Sequence, residues 1–416
     1  MAIGIIAEYN PFHNGHKYML QELKEKLPEE PIVIGLSGSI SQRGEMTLLD
    51  KWSRARLAVL GGANLVIELP AVFACRSAQG FGLGGIRLLS ATGVVDRLAF
   101  GTEYPDIDQL QKAASFVPDS YPQELQNLLA QGHSYGSAIT HLMAQKLHLP
   151  EAMLYEPNTI LALEYLRGIH TLRQQGLPAP TPLAIRRQGT SHGSTQPQGE
   201  FASGTTLRQL AIHTPEKEKL QQAIRPLVPT AVAEAISQCP HYPTSDQLYP
   251  LLRYRLATSS PQELRQIVGM GEGLEQAMAQ AINAPSYEAY IRQLTSRRYP
   301  STRIQRLVIH LLLNMHRDTI AAMDQQGPLY LRVLAMDATG RQILRQIKSR
   351  GTLPLLTKVS TLLNHRQLQH PEAHTLAQRM LALDIAATNL RSLAMNTPAG
   401  LYEDYLHSPC YCDVNQ

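Results

Sequence analysis

The stretch IIAEYNPFHNGH, residues 5–16, is an apolar run followed by a turn that carries two histidines, His13 and His16, separated by Asn14 and Gly15. The apolar run reads as a buried strand, and the amphipathic HKYMLQELKEKL that follows (16–27) reads as a helix. A strand that turns directly into a helix brings backbone N–H groups and the positive end of a helix dipole to one point, and that point favours phosphate. Pro11 stiffens the turn, Gly15 lets a ligand approach the backbone, and His16 falls at the helix start with His13 just before it. Two imidazoles there can donate hydrogen bonds to a triphosphate and stabilise charge growing on a pentacoordinate α-phosphate. Positioning, more than acid–base chemistry, is then the main source of rate. Alone, the same residues also fit a half-exposed turn with Asn14 as a helix N-cap, so what lies downstream decides.

Working outward, short apolar runs alternate with amphipathic stretches. PIVIGLSG (31–38), NLVIELP (64–70) and DRLAFGTE (96–103) read as strands, and LDKWSRARLAVLGG (49–62) as a helix. Residues 106–175 read as helical, then PTPLAIRRQ (180–188) returns to a strand, followed by a Gly, Ser and Thr-rich loop (188–205) and a helix near TLRQLAI (206–212). Alternation of this kind predicts an α/β fold with a Rossmann-like parallel sheet and a helical insertion at about 106–175, together filling residues 1–214. Ligands of such sheets bind at the carboxyl ends of strands, where EYNPFHNGH, SGSISQRGE and GTEYP lie. From 215 onward helical patterns dominate, as in STRIQRLVIHLLLNM (301–315). This predicts a helical region over 215–326, made basic and suited to RNA by Arg292, Arg297, Arg298, Arg303 and Arg306 around Tyr299, and, because GPLYLRVLAMD (327–337) reads as a strand, a small mixed domain over 327–416.

Composition limits the function. A chain of 416 residues can bury at least two cores, and its 44% hydrophobic and 17% charged residues are those of a soluble protein. No apolar run approaches the roughly 20 residues that span a bilayer, and MAIGIIAEYN lacks a basic export signal. Four scattered cysteines do not make a disulfide framework and agree with a reducing compartment, so a cytoplasmic protein is expected. The net charge of +4 is unevenly spread: residues 292–366 hold 13 Lys and Arg against three Asp, or +10, which leaves −6 for the rest. Such a block can bind a polyanion.

The His13–His16 turn resembles the HxGH signature of the nucleotidyltransferase superfamily, and ASGTTLR (202–208) looks like its second motif, a turn that cradles β and γ phosphates through Ser203, Thr205 and Thr206. More closely, EYNPFHNGH, SGSISQRGE, DKWSRARLAVLGGANLVIELP, FGTE, EPNTILALEY and SRRYPSTRIQR together resemble the bacterial tRNA(Met) cytidine acetate ligase family, over residues 1 to about 365. The resemblance implies an HxGH nucleotidyltransferase domain that activates acetate with ATP, Mg²⁺ being expected on the phosphates, and acetylates N4 of the wobble cytidine of elongator tRNA(Met). It implies His13 and His16 as catalytic residues. The implied ATP site is Ile6, Ala7, Glu8, Tyr9, Asn10, Pro11, Phe12, His13, Asn14, Gly15, His16, Lys17, Tyr18 and Met19, with Gly101, Asn158, Arg186 and Arg187. The loop after Arg187 is longer than the family pattern, which leaves the choice between the two arginines open.

Other features are read from the residues. Ser37, Gln42, Arg43 and Glu45 follow a strand end and suit an acetyl or cytidine pocket. Trp52, the only tryptophan, reads as core more readily than as a stacking platform, and Asp50 as a helix cap. Arg297, Arg298, Arg303 and Arg306 around Tyr299 suit phosphate contact and base stacking on RNA. Gly80, Gly82 and Gly85 spell GxGxxG but follow no strand, so helix packing is expected there; His407, Cys410 and Cys412 lack a fourth ligand, so no metal site is expected. No membrane or DNA partner is expected. The alternatives are a nucleotidyltransferase acting on a small phosphorylated acceptor, for which the basic region has no use, and a non-catalytic RNA-binding protein, against which both histidines and SGTTLR argue.

Overall fold

A computed structural model of the chain describes residues 1–133, 135–188, 199–271, 273–395 and 400–413; most of the Gly, Ser and Thr-rich loop expected at 188–205 lies outside the described residues. The five N-terminal apolar runs are strands β1 (Ala2–Ala7), β2 (Ile32–Ser37), β3 (Leu65–Leu69), β4 (Val95–Thr102) and β5 (Thr181–Arg186). They run parallel in the order β5-β4-β1-β2-β3. Helices cover both faces, which is why β1, β2 and β3 are buried at every residue. Side-chain alternation divides β1 between two cores. Ile3 and Ile5 pack with Leu20, Leu23 and Leu57 of the helices Asn14–Lys26 and Lys51–Leu60, and Ala2 and Ile6 pack with Ile86, Leu88 and Leu166 of the helices Ala78–Ser90 and Pro157–Gln174.

The chain leaves β1 toward β2 and β3, then crosses back to lay β4 and β5 on the other side of β1. This reversal opens a crevice between β1 and β4 at their carboxyl ends. Gly82 and Gly85 of the GxGxxG stretch lie within the helix Ala78–Ser90; a Cβ on Gly85 would stand 2.6 Å from Ile6 Cδ1 and one on Gly82 3.2 Å from Tyr165 Cδ1, so they serve close packing. The described residues of 106–175 are largely helical, ending in Pro157–Gln174.

The strand read near 327–336 is β6 (Leu331–Met336), but it does not start a sheet of its own. It pairs antiparallel with β3, and β7 (Leu355–Leu356) and β8 (Cys410–Tyr411) pair along it, so these residues widen the main sheet. A buried charge cluster fixes the join. Glu68 of β3 stands opposite Arg332 of β6, 2.9 Å separating the ion pair; Lys51 Nζ lies 2.7 Å from Glu68 and 2.6 Å from Asp404, to which Arg332 also pairs. Breaking one member of such a cluster leaves a buried charge uncompensated, at about 3–5 kcal/mol. Residues 245–312 carry a separate helical core around Leu252, Ile267, Tyr290, Ile304 and Leu307. Among the described residues no helix is long and apolar enough to cross a membrane, and no three His, Cys, Asp or Glu side chains are grouped to hold a metal.

Candidate active site

At the end of β1, Tyr9 adopts a φ of +44°, in the left-handed region, and turns the chain out of the sheet. His13, not Asn14, is the N-cap of the helix Asn14–Lys26. Its Nδ1 accepts from Gly15 N–H at 3.1 Å, and His13 N–H donates to His16 Nδ1 at 3.2 Å, so two imidazoles form a reciprocal capping box. An Nδ1 that accepts a hydrogen bond carries no proton, so each neutral ring has its proton on Nε2 as a donor. The rings stack with centroids 3.7 Å apart, and Tyr9 packs on His16 at 4.7 Å. Asn14 Nδ2 instead donates to the carbonyls of Glu200 and Pro226, both at 3.0 Å, tying the turn to the segment that follows β5.

The turn opens onto a cavity of about 380 Å³, a volume suited to a nucleotide. Of the stretch Ile6–Met19, all residues line it except Phe12, which is buried beneath Tyr9, Asn14, and Lys17, which is exposed. Ser203 caps the helix Gly204–His213, accepting from Thr206 N–H at 3.1 Å, and Ser203, Gly204 and Thr205 line the cavity. Thr206 is buried against Ser203 Oγ at 3.0 Å and does not line it. A Cβ on Gly204 would meet Asn10 O at 2.9 Å, so the second turn stands directly against the first. Arg208 locks the two together, donating to Asn10 O at 2.9 Å and to Glu45 Oε2 at 2.8 Å.

On the β4 and β5 side lie Gly101, Asn158, Arg186 and Arg187, all lining the cavity. Arg187 is the less exposed arginine, its stem against Gly101 and its Nε 3.6 Å from Glu103 Oε1. Glu103 also accepts from Asn158 Nδ2 at 2.6 Å, so one carboxylate orients both residues. On the β2 side, Gln42, Arg43 and Glu45 line the cavity, whereas Ser37 is buried below it. The Glu8 carboxylate accepts from Gln42 N–H, and burial raises its pKa above the usual carboxylate value.

The loop after β2 packs on the arginine-rich segment. Gly44, at φ +77°, leaves no room for a Cβ, which would lie 2.6 Å from Arg306 N. Thr302 and Arg306 therefore reach the cavity, while Arg297, Arg298 and Arg303 are exposed outside it; the guanidinium carbons of Arg303 and Arg298 lie 4.8 and 5.8 Å from the Tyr299 ring centroid. Trp52 is core, stacked on His407 at 3.9 Å, and Asp50 caps its helix by accepting from Ser53 N–H at 2.7 Å. The Cys410 and Cys412 Sγ atoms stand 3.8 Å apart as free thiols.

Three positioning residues escape a reading of the sequence: Arg208, Glu103 and Arg54. Arg54 is fully buried and donates to the carbonyls of Glu8 (2.6 Å), Ser37 (3.0 Å), Gly38 and Leu49 (3.2 Å), clamping the carboxyl ends of β1 and β2. Arg54 shares its helix with Lys51 and Arg56, and the pattern does not single it out.

Residues 1–403 match the HIGH Nucleotidyl Transferase family. The chain is 36% identical over 407 residues to a tRNA(Met) cytidine acetate ligase of Syntrophomonas wolfei, covering 95% of each, and 36% identical over 414 residues to the protein of that name from Leuconostoc mesenteroides, covering 99% of each. It superposes on the crystal structure of apo Thermotoga maritima TmcAL with a TM-score of 0.86 and on that protein bound with alpha-thio ATP with 0.84, at 28% identity over 99% of both chains.

Proposed function

The chain belongs to the HIGH nucleotidyl transferase family and, within it, to the tRNA(Met) cytidine acetate ligases, and on that premise we propose how its residues carry out the reaction. ATP lies across the crevice with its α-phosphate at the His13–His16 turn. Acetate attacks that phosphorus and pyrophosphate leaves, giving acetyl-adenylate; cytidine N4 of the wobble base then attacks the acetyl carbon and AMP leaves, giving N4-acetylcytidine on elongator tRNA(Met). The observation that carries this reading is the reciprocal capping box, which commits both Nδ1 atoms to the backbone and makes both Nε2–H groups fixed donors beside a helix N-terminus. Donors fixed before the reaction stabilise charge that develops on the phosphate without reorganising.

The Ser203–Thr205 turn holds the β and γ phosphates, Gly101 and Asn158 the adenosine, and Arg187, with Arg186 at the rim, a phosphate. Mg²⁺ entering with ATP would neutralise charge on the phosphates, and among the described residues no group of three His, Cys, Asp or Glu would hold it. Arg297, Arg298, Arg303 and Tyr299 take the anticodon stem, with the target base turned out of its stack toward Arg306. The protein works in the cytoplasm, where its tRNA is. Relatives named throughout for the ligase do not favour a transferase acting on a small acceptor.

The test is incubation with ATP, labelled acetate and total tRNA. AMP and label on cytidine are expected. Acetate-dependent pyrophosphate exchange without label on RNA would remove the transfer step, and no exchange with any acid tried would remove the ligase reading.

A further inference from the structure

Acetyl transfer makes a bond between cytidine N4 and the acetyl carbon and breaks the bond from that carbon to an AMP oxygen. N4 sheds one proton in the process, and a group in the site must receive it. Resting on the ligase reading above, we propose that the Glu8 carboxylate is that proton acceptor: it takes the N4 proton as the C–N bond forms, while the electron pair of the breaking C–O bond leaves with AMP.

Few lining groups can do this. His13 and His16 have Nδ1 committed to backbone N–H groups and carry protons on Nε2. Burial pushes the phenols of Tyr9 and Tyr165 well above their ordinary value, so both stay protonated. Among the described residues two carboxylates line the cavity, Glu8 and Glu45. Glu45 Oε2 is already engaged by Arg208 at 2.8 Å. Glu8 has no arginine or lysine within salt-bridge distance among the described residues; its Oε1 accepts from Gln42 N–H, a neutral donor that orients the carboxylate.

Its placement also fits the acceptor side. Glu8 follows the last residue of β1 and its side chain reaches the loop after β2, away from the β4 and β5 side where Gly101, Asn158 and Arg187 stand. Arg43 of that loop and Arg306, which packs on it at Gly44, both line the cavity, and beyond them lie the exposed Arg303 and the half-buried Tyr299. Arg54 holds the Glu8 carbonyl at 2.6 Å, so the backbone under the carboxylate is fixed.

The surroundings tune it as a base. Burial raises the Glu8 pKa most; the Gln42 N–H opposes this, Glu45 adds to it, and Arg208 and Arg43 oppose it, the net being upward. Tyr165, Cys75 and Arg54 carry the remaining titratable groups whose charges couple to it. A carboxylate moved toward neutrality accepts protons better than an ordinary one, and it works only when ionised. Transfer therefore accelerates as pH rises through the raised Glu8 pKa and levels off above it.

The experiment supplies preformed acetyl-adenylate and tRNA(Met) to the full-length protein, which bypasses ATP, and compares wild type with Glu8→Gln. We expect single-turnover transfer by E8Q to fall by about 100-fold or more, its pH profile to lose the acidic limb, and acetate-dependent pyrophosphate exchange to fall far less than transfer. Unchanged transfer in E8Q would overturn the proposal and make the AMP phosphate the acceptor. A parallel fall of exchange, transfer and tRNA binding would overturn it by making Glu8 structural. Should E8Q not fold, a wild-type transfer rate flat across the acidic range overturns it equally. Wild-type protein inert toward acetyl-adenylate would overturn the ligase reading and Glu8 with it, an outcome distinct from a defect confined to E8Q.

Discussion

His16 holds its turn together and, in the mechanism proposed above, also serves catalysis; His16→Gln divides the two. In the fold, His16 Nδ1 accepts the His13 N–H at 3.2 Å and its ring stacks on His13 at 3.7 Å. Losing a helix cap costs about 1 kcal/mol, and losing a ring pair about 0.5–1.5 kcal/mol, so His16→Ala destabilises by about 2 kcal/mol. Gln at the third helical position supplies the acceptor of an ordinary capping box, so H16Q loses only the stack, about 1 kcal/mol. Against a total stability of about 5–15 kcal/mol, that loss leaves the protein folded. The catalytic role is another matter. H16Q lacks the imidazole that the proposed mechanism uses as a donor to the α-phosphate, and removing one fixed donor of this kind costs about 10²–10³ in rate, or about 2.7–4 kcal/mol. The assays are acetate-dependent pyrophosphate exchange and urea denaturation on the same preparation. H16Q should lose exchange by that factor with a midpoint close to wild type, and tRNA binding should hold. Exchange near wild type in H16Q, or a loss that only tracks the unfolded fraction, would refute the reasoning.

Three further outcomes are expected. Glu103→Ala frees Asn158 and Arg187, each held by a charged hydrogen bond or ion pair; such bonds are worth about 1.5–3 kcal/mol, so KM for ATP should rise about tenfold or more, and steady-state kinetics showing an unchanged KM would remove Glu103 as a positioning residue. The triple variant R297A/R298A/R303A should weaken tRNA binding and lower the slope of log affinity against log salt by roughly two to three, with exchange measured without tRNA unaffected; an unchanged slope would move the RNA elsewhere. Asp384, buried beside Glu68 and bonded by Ala71 N–H and Tyr330 Oη, has its carboxyl pushed up to about 7, burial being the largest cause. The folded state thus holds a proton that the unfolded chain releases near pH 4, so this contribution to stability is complete below that pH and declines as pH rises toward 7. Asp384→Asn should flatten that decline in denaturation midpoints taken from pH 4 to 8, and an equal decline in the variant would place the titration on another group.

The sequence makes the His13–His16 turn legible because its parts are local. His13, Gly15 and His16 meet within one turn of helix, and the runs that become β1 to β5 are short, apolar and bounded by turn residues, so periodicity and spacing suffice. The arginines are different. A count of charge over 292–366 treats Arg303, Arg306 and Arg332 alike, yet one lies over Tyr299, one reaches the cavity, and one is buried between Glu68 and Asp404. The join of β6 to β3 depends on that last pairing and so was invisible as well. Arg54 and Arg208 look like solvated helix charges until the fold brings them to carbonyls 46 and 198 residues away. A polar side chain's role is set by what burial makes it bond, and burial is a property of the assembled sheet. Residues whose partners lie next to them in sequence can therefore be assigned from it, whereas those that hold separate strands and turns together, here Arg54, Glu103 and Arg208, acquire their meaning only when the strands meet.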